Sequence, residues 1–93
     1  MTQEAIPANF EIVVTGEDMF GASFREKTNL INLAEDEFSF SLFRPVSEKH
    51  SLRVNFHPDR PHQSYWVNGI VFNVKNRLDG MQTVEVRVSG RKG

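Results

Sequence analysis

The chain is 93 residues long, with 39% hydrophobic residues, 25% charged residues and a formal charge of −1. This is the profile of one soluble globular domain, and it excludes a disordered segment or a pair of domains. Cysteine is absent, which removes disulfides, thiolate nucleophiles and thiolate metal sites together.

Residues 1–9 are polar with one proline and read as a loose lead-in to a domain over 10–89, with 90–93 as a tail. Phe10 to Thr15 alternates Phe10, Ile12 and Val14 with more polar neighbours, a first strand. Gly16 and Gly21 bracket a hairpin connection, and a long strand follows from Ala22 to Leu33. Phe38, Phe40 and Leu42 give the cleanest period-two stretch, ended by Arg44-Pro45-Val46 because proline cannot donate to a ladder. Leu52, Val54 and Phe56 mark a fourth strand, and the two prolines between His57 and Ser64 make that segment a loop. Tyr65 to Lys75 is a fifth strand, in which Gly69 signals a bulge or a close backbone approach. Asp79-Gly80 predicts a primed hairpin turn before the last strand, Thr83 to Val88.

Valine, isoleucine, threonine and the aromatics number 28 against 12 for leucine, alanine and methionine. β-Branched and aromatic side chains suit a pleated surface and crowd a helix, so the fold class is all-β. Six strands in sequential antiparallel order predict a closed or partly open barrel. Phe38, Phe40, Leu42, Phe56, Phe72 and Trp66 are assigned to its core, while Phe20, Phe24, Phe43 and Tyr65 fall on the opposite phase or in turns. No apolar run approaches about 18 residues and no basic start precedes an apolar segment, so neither membrane insertion nor export is expected and the chain reads as cytoplasmic.

Charge is uneven: residues 1–48 carry a net −6 and residues 49–93 a net +5. Cross-strand attraction accounts for this without any ligand, at about 0.2–1 kcal/mol per exposed pair. A nucleic-acid-binding barrel of the OB type would use aromatics and arginines, but the overall charge is slightly negative and no basic run is interleaved with aromatics. His57, Asp59 and His62 share a proline-stiffened loop with no fourth ligand nearby, so no metal is expected. No nucleophile with a base and no glycine-rich phosphate cradle is present, so the reading is not of an enzyme and no cofactor is assigned.

The stretch from Phe24 to Leu42 resembles the centre of a PilZ domain, in which a strand leads into a motif of the form Asn/Asp-x-Ser-x-x-Gly. The later spacing fits as well, with Arg44-Pro45-Val46-Ser47 before Leu52-Arg53-Val54, then Val67 to Val74 and Val84 to Val88. The resemblance covers residues 10–89 and rests on the order and length of strands more than on identities. It implies a six-stranded antiparallel barrel whose usual role is to bind cyclic di-GMP, a bacterial second messenger.

Carried over residue by residue, the motif is degenerate. Asn32 fits the first position, where it would meet a guanine edge; Ala34 replaces the family's serine and Glu37 its glycine. The family's pair of arginines four residues apart is missing, since Arg25 is the first arginine and Asn29 follows at that spacing. Two lost arginine contacts remove about 3–6 kcal/mol. A carboxylate some 7 Å from a phosphate adds about 2 kcal/mol of repulsion at an effective dielectric near 20, and Glu35 and Asp36 add more. The expectation is a PilZ-like regulatory or adaptor domain acting through a protein partner or self-association, with cyclic di-GMP disfavoured. The alternative is a receptor that joins Asn32 to Arg25 or to arginines of the C-terminal half.

Overall fold

A computed structural model describes residues 6–7, 11–60 and 62–89. The strands are β1 (Ile6–Pro7), β2 (Glu11–Glu17), β3 (Ser23–Leu33), β4 (Glu37–Leu42), β5 (Ser51–Phe56), β6 (Tyr65–Asn76) and β7 (Gln82–Ser89). No helix forms among the described residues, so none is long and apolar enough to cross a membrane. Phe10, Pro61 and the tail 90–93 lie outside the described residues, as does most of the lead-in.

Two three-stranded meanders, β2-β3-β4 and β5-β6-β7, close on each other through β2–β5 and β4–β7 pairs. The result is a closed, six-stranded, all-antiparallel barrel, with β1 extending its wall against Leu33 and Asn32 of β3. The strand order departs from the sequential one expected. After β4 the chain does not turn back on itself; it crosses the barrel end, because Pro45 forbids further pairing and Val46 is drawn inside, 1% exposed. Exchanging the first meander for the second leaves the list of pairings unchanged, although the sequence carries no repeat.

The crossover is pinned at each step. Phe43 and Arg44 N–H donate to the Glu26 carboxylate at 2.7 and 3.1 Å, Val46 N–H to Gln82 Oε1 at 3.1 Å, and Lys49 N–H to the Val71 carbonyl at 2.7 Å. Such bonds satisfy backbone groups that the barrel end would otherwise leave unpaired.

Inside, Ile12, Val14, Leu30, Phe40, Leu42, Leu52 and Val54 are closed to water. Phe24, placed on the opposite phase by the sequence, is buried beneath the Arg44 guanidinium. Strand β6 corrects the predicted core. Val67, Gly69 and Val71 point inward, and a register shift between Val71 and Asn73 then turns Val74 to the core. Trp66 is therefore 41% exposed and Phe72 only half-buried. Their rings are covered from outside, by Arg53 over Trp66 and by Arg87 over Phe72, each at 4.7 Å. Gly69 marks the close approach: a Cβ there would collide with Val86 Cγ1.

The last hairpin also differs from expectation. Gly80 alone has positive φ, 86°, and its N–H donates to the Arg77 carbonyl at 3.3 Å. The loop is thus a turn through Leu78 and Asp79 followed by one left-handed glycine, and not a primed two-residue turn.

Candidate functional site

The motif residues fall at the end of the barrel where β3 turns into β4. Asn32 is half-buried, in register with Pro7 and Ser39. Ala34 N–H donates to the Glu37 carbonyl at 2.8 Å, and Val88 N–H to the Asp36 carbonyl at 2.8 Å, which ties the turn to itself and to β7. Glu37 opens β4 opposite Arg87 and holds its guanidinium at 2.9 Å. Asn32, Ala34 and Glu37 therefore gather as expected, together with one arginine of the C-terminal half.

Arg25 does not join them. It sits seven residues earlier on β3, about 23 Å away along an extended strand, in register with Thr15.

Two depressions flank the acidic turn. The smaller, about 80 Å³, is lined by Asn32, Ala34, Glu37, Ser39, Phe72 and Glu85 among others. The larger, about 420 Å³, is the barrel mouth, where Leu33, Phe38, Phe56, Val67 and Val88 form the floor and Glu35, Tyr65 and Trp66 the rim. Among the described residues neither lining includes a lysine or arginine. The mouth is aromatic: Phe38 meets Phe56 edge-on at 5.4 Å, Phe56 stacks on Tyr65 at 5.4 Å, and Tyr65 approaches His57 at 6.3 Å. A phosphate placed at either depression would meet carboxylates, and the guanidinium beside the smaller one, Arg87, is already held by Glu37.

The opposite end of the barrel is apolar at its tips. Phe20 is 80% exposed, Phe43 67%, Met19 49%, and Leu78 fully so. Hydrogen bonds tie these segments together: Met19 N–H donates to the Pro45 carbonyl of the crossover at 2.8 Å, and Arg77 Nη1 to Ser41 Oγ near the end of β4 at 2.5 Å. The sequence pointed to Phe20 and Phe43; Met19 and Leu78 carried no signal beyond their place beside a turn glycine.

Asp18 organises this end. Its Oδ1 accepts from Phe20 N–H at 2.9 Å and Ala22 N–H at 3.0 Å, and Arg44 lies 3.6 Å from Oδ2. These contacts, the Ala22 N–H foremost, hold the carboxyl below its ordinary pKa against the opposing effect of burial, with Phe20, Arg44 and His50 adding to the shift. Ser47 Oγ and His50 Nε2 are 3.3 Å apart, but the Asp18 oxygens are engaged by the turn amides and Arg44, and no bond from His50 to Asp18 completes a relay. Among the described residues, no three of His, Asp and Glu gather closely enough to hold a metal ion.

No protein-family model matches the sequence, and no curated protein matches it significantly.

Proposed function

We propose that this barrel is a PilZ-like regulatory or adaptor module of the bacterial cytoplasm, that it works through contact with another protein, and that it does not take up cyclic di-GMP in that family's manner. The observation that carries the reading is the set of exposed apolar side chains, Phe20, Phe43, Met19 and Leu78, on segments tied together at one end. Monomers seldom leave such groups wet together, and buried aromatics supply about 2 kcal/mol or more each at interface centres. The acidic turn supports the second half of the reading. Asn32 keeps its motif position, yet among the described residues Glu37 is paired with Arg87 alone, and that guanidinium also covers Phe72.

Calorimetric titration with cyclic di-GMP tests this directly, run on the natural chain beside an Ala34→Ser, Glu37→Gly variant. The natural chain should give no heat. A gain confined to the variant supports a degraded site, and a low-micromolar dissociation constant for the natural chain overturns the proposal.

A further inference from the structure

Lys27, Arg44, Arg77 and Arg87 each hold a carboxylate oxygen, at 3.9, 3.6, 2.6 and 2.9 Å. Among the described residues, Arg25, Lys49 and Arg53 are in no such ion pair, and the fold brings Lys49 and Arg53 to one depression, with Arg25 across β2 from Arg53. Thr15 stands in register with Arg25 on one side and Arg53 on the other, so the two arginines share the outer face of the barrel about 10 Å apart. Beside them opens a depression of about 490 Å³, lined by Thr15, Glu17, Lys49, Ser51 and Arg53 and by parts of Gly16 and His50.

The groups are held in place before any ligand arrives. The Arg53 guanidinium lies over the Trp66 ring at 4.7 Å, which restrains it. Thr15 Oγ1 donates to the Arg53 carbonyl at 3.5 Å and keeps its own lone pairs and position at the rim. Lys49 is one of two described non-glycine residues with positive φ, 77°. Its backbone is fixed there because Lys49 N–H donates to the Val71 carbonyl at 2.7 Å and Val71 N–H to the His50 carbonyl at 2.9 Å. A strained lysine persists only where its surroundings over-determine it, and such residues concentrate at binding sites.

We propose that this depression binds the phosphoryl group of a small molecule. Two cations at the depression, Lys49 and Arg53, with Arg25 across β2, leave a local excess of positive charge over the single carboxylate of Glu17 that suits an anion. A planar guanidinium, an ammonium and the Ser51 hydroxyl suit the several acceptor oxygens of a phosphate. A polymeric ligand fits less well, because the neighbouring Lys27 is already paired with Glu11. The site is remote in register from residues 32–37 and does not depend on the adaptor reading.

The test is an amide-resonance titration with sodium pyrophosphate at constant ionic strength. Saturable shifts should centre on Thr15, Ser51 and Arg53. Arg53→Gln and Lys49→Gln should each weaken binding about tenfold or more, the loss of one charge-assisted hydrogen bond. Glu17→Gln should tighten it about threefold, from removing a like charge some 7 Å away in water. Arg60→Gln, which neutralises a cation elsewhere, should leave it unchanged. The proposal is overturned by lack of saturation at about 1 mM ligand, by equal weakening in Arg60→Gln, or by shifts centred on residues 32–37. It is also overturned if the chain ignores pyrophosphate and responds only to oligonucleotides, or only to phosphatidylcholine vesicles containing phosphatidic acid.

Discussion

Replacing Gly69 by alanine is the sharpest single perturbation of this barrel. The new methyl would collide with Val86 Cγ1 and lie 3.2 Å from the Arg87 carbonyl oxygen. Val86 is closed to water and packed in register against Val71 and Phe38, so it has nowhere to retreat. Overpacking of a filled core costs about 1–3 kcal/mol, and the entropy saved by removing a glycine from the unfolded chain returns only about 0.4–1. A net loss of about 1–2 kcal/mol should lower the melting temperature by about 4–16 °C in a domain of this size. Val86→Ala alone should cost about 2–3 kcal/mol by leaving a cavity. The double variant is the decisive measurement, because the added methyl occupies the space the valine vacates. Its urea-unfolding free energy should fall short of additivity by about 1–2 kcal/mol. An additive double variant, or a Gly69→Ala chain as stable as the natural one, would refute the packing argument.

Two further expectations concern the apolar end. Phe20→Ser combined with Phe43→Ser should leave the melting temperature within about 4 °C, since both rings are mostly exposed, yet shorten retention on a hydrophobic-interaction column; a large fall in stability would show that the rings pack within the barrel. Asp18 has a pKa lowered by folding, so its contribution is present above the ordinary aspartate range and is lost as pH falls through the lower folded value. Asp18→Asn should therefore be less stable than the natural chain at neutral pH, with the gap closing in strong acid. Urea midpoints measured along that pH series check this, and a gap that does not change with pH contradicts it.

Strand content was legible because the strongest segments alternate cleanly. Phe38, Phe40 and Leu42, or Val84 and Val86, declare their inner face without help from the rest of the chain. Strand β6 misled for a physical reason. Six strands enclose a narrow interior, filled here by valines and Gly69, and the larger Trp66 and Phe72 are forced outside. What makes that placement tolerable is a guanidinium from a different strand over each ring, a contact between residues far apart in sequence. The order of strands was hidden similarly, since nothing local in Pro45-Val46 says that the chain crosses the barrel end instead of turning back. The motif turn was readable because it is local; the cluster of Arg25, Thr15, Lys49 and Arg53 was not, because only the β2–β3 and β2–β5 registers assemble it.

The fold places little demand on the acidic turn, which bears on what that turn is for. Glu37 and Arg87 are 45% and 59% exposed, so their ion pair contributes about 0.2–1 kcal/mol. Residues 34–37 have no positive φ, and the turn is already fixed by its own backbone hydrogen bonds and by Val88. A glycine at 37 would therefore cost only the loss of that pair and about 0.5–1 kcal/mol of strand propensity. Glu35 stands exposed at the rim of the mouth, where the field of its carboxylate extends about 10 Å at moderate ionic strength. That field opposes polyanions at the aromatic mouth. Among the described residues, Arg25, Lys49, Arg53, Arg60 and Lys75 are in no ion pair with a carboxylate, and of these Lys49 and Arg53 line the depression beside β2 and β5, where the barrel is best able to hold an anion.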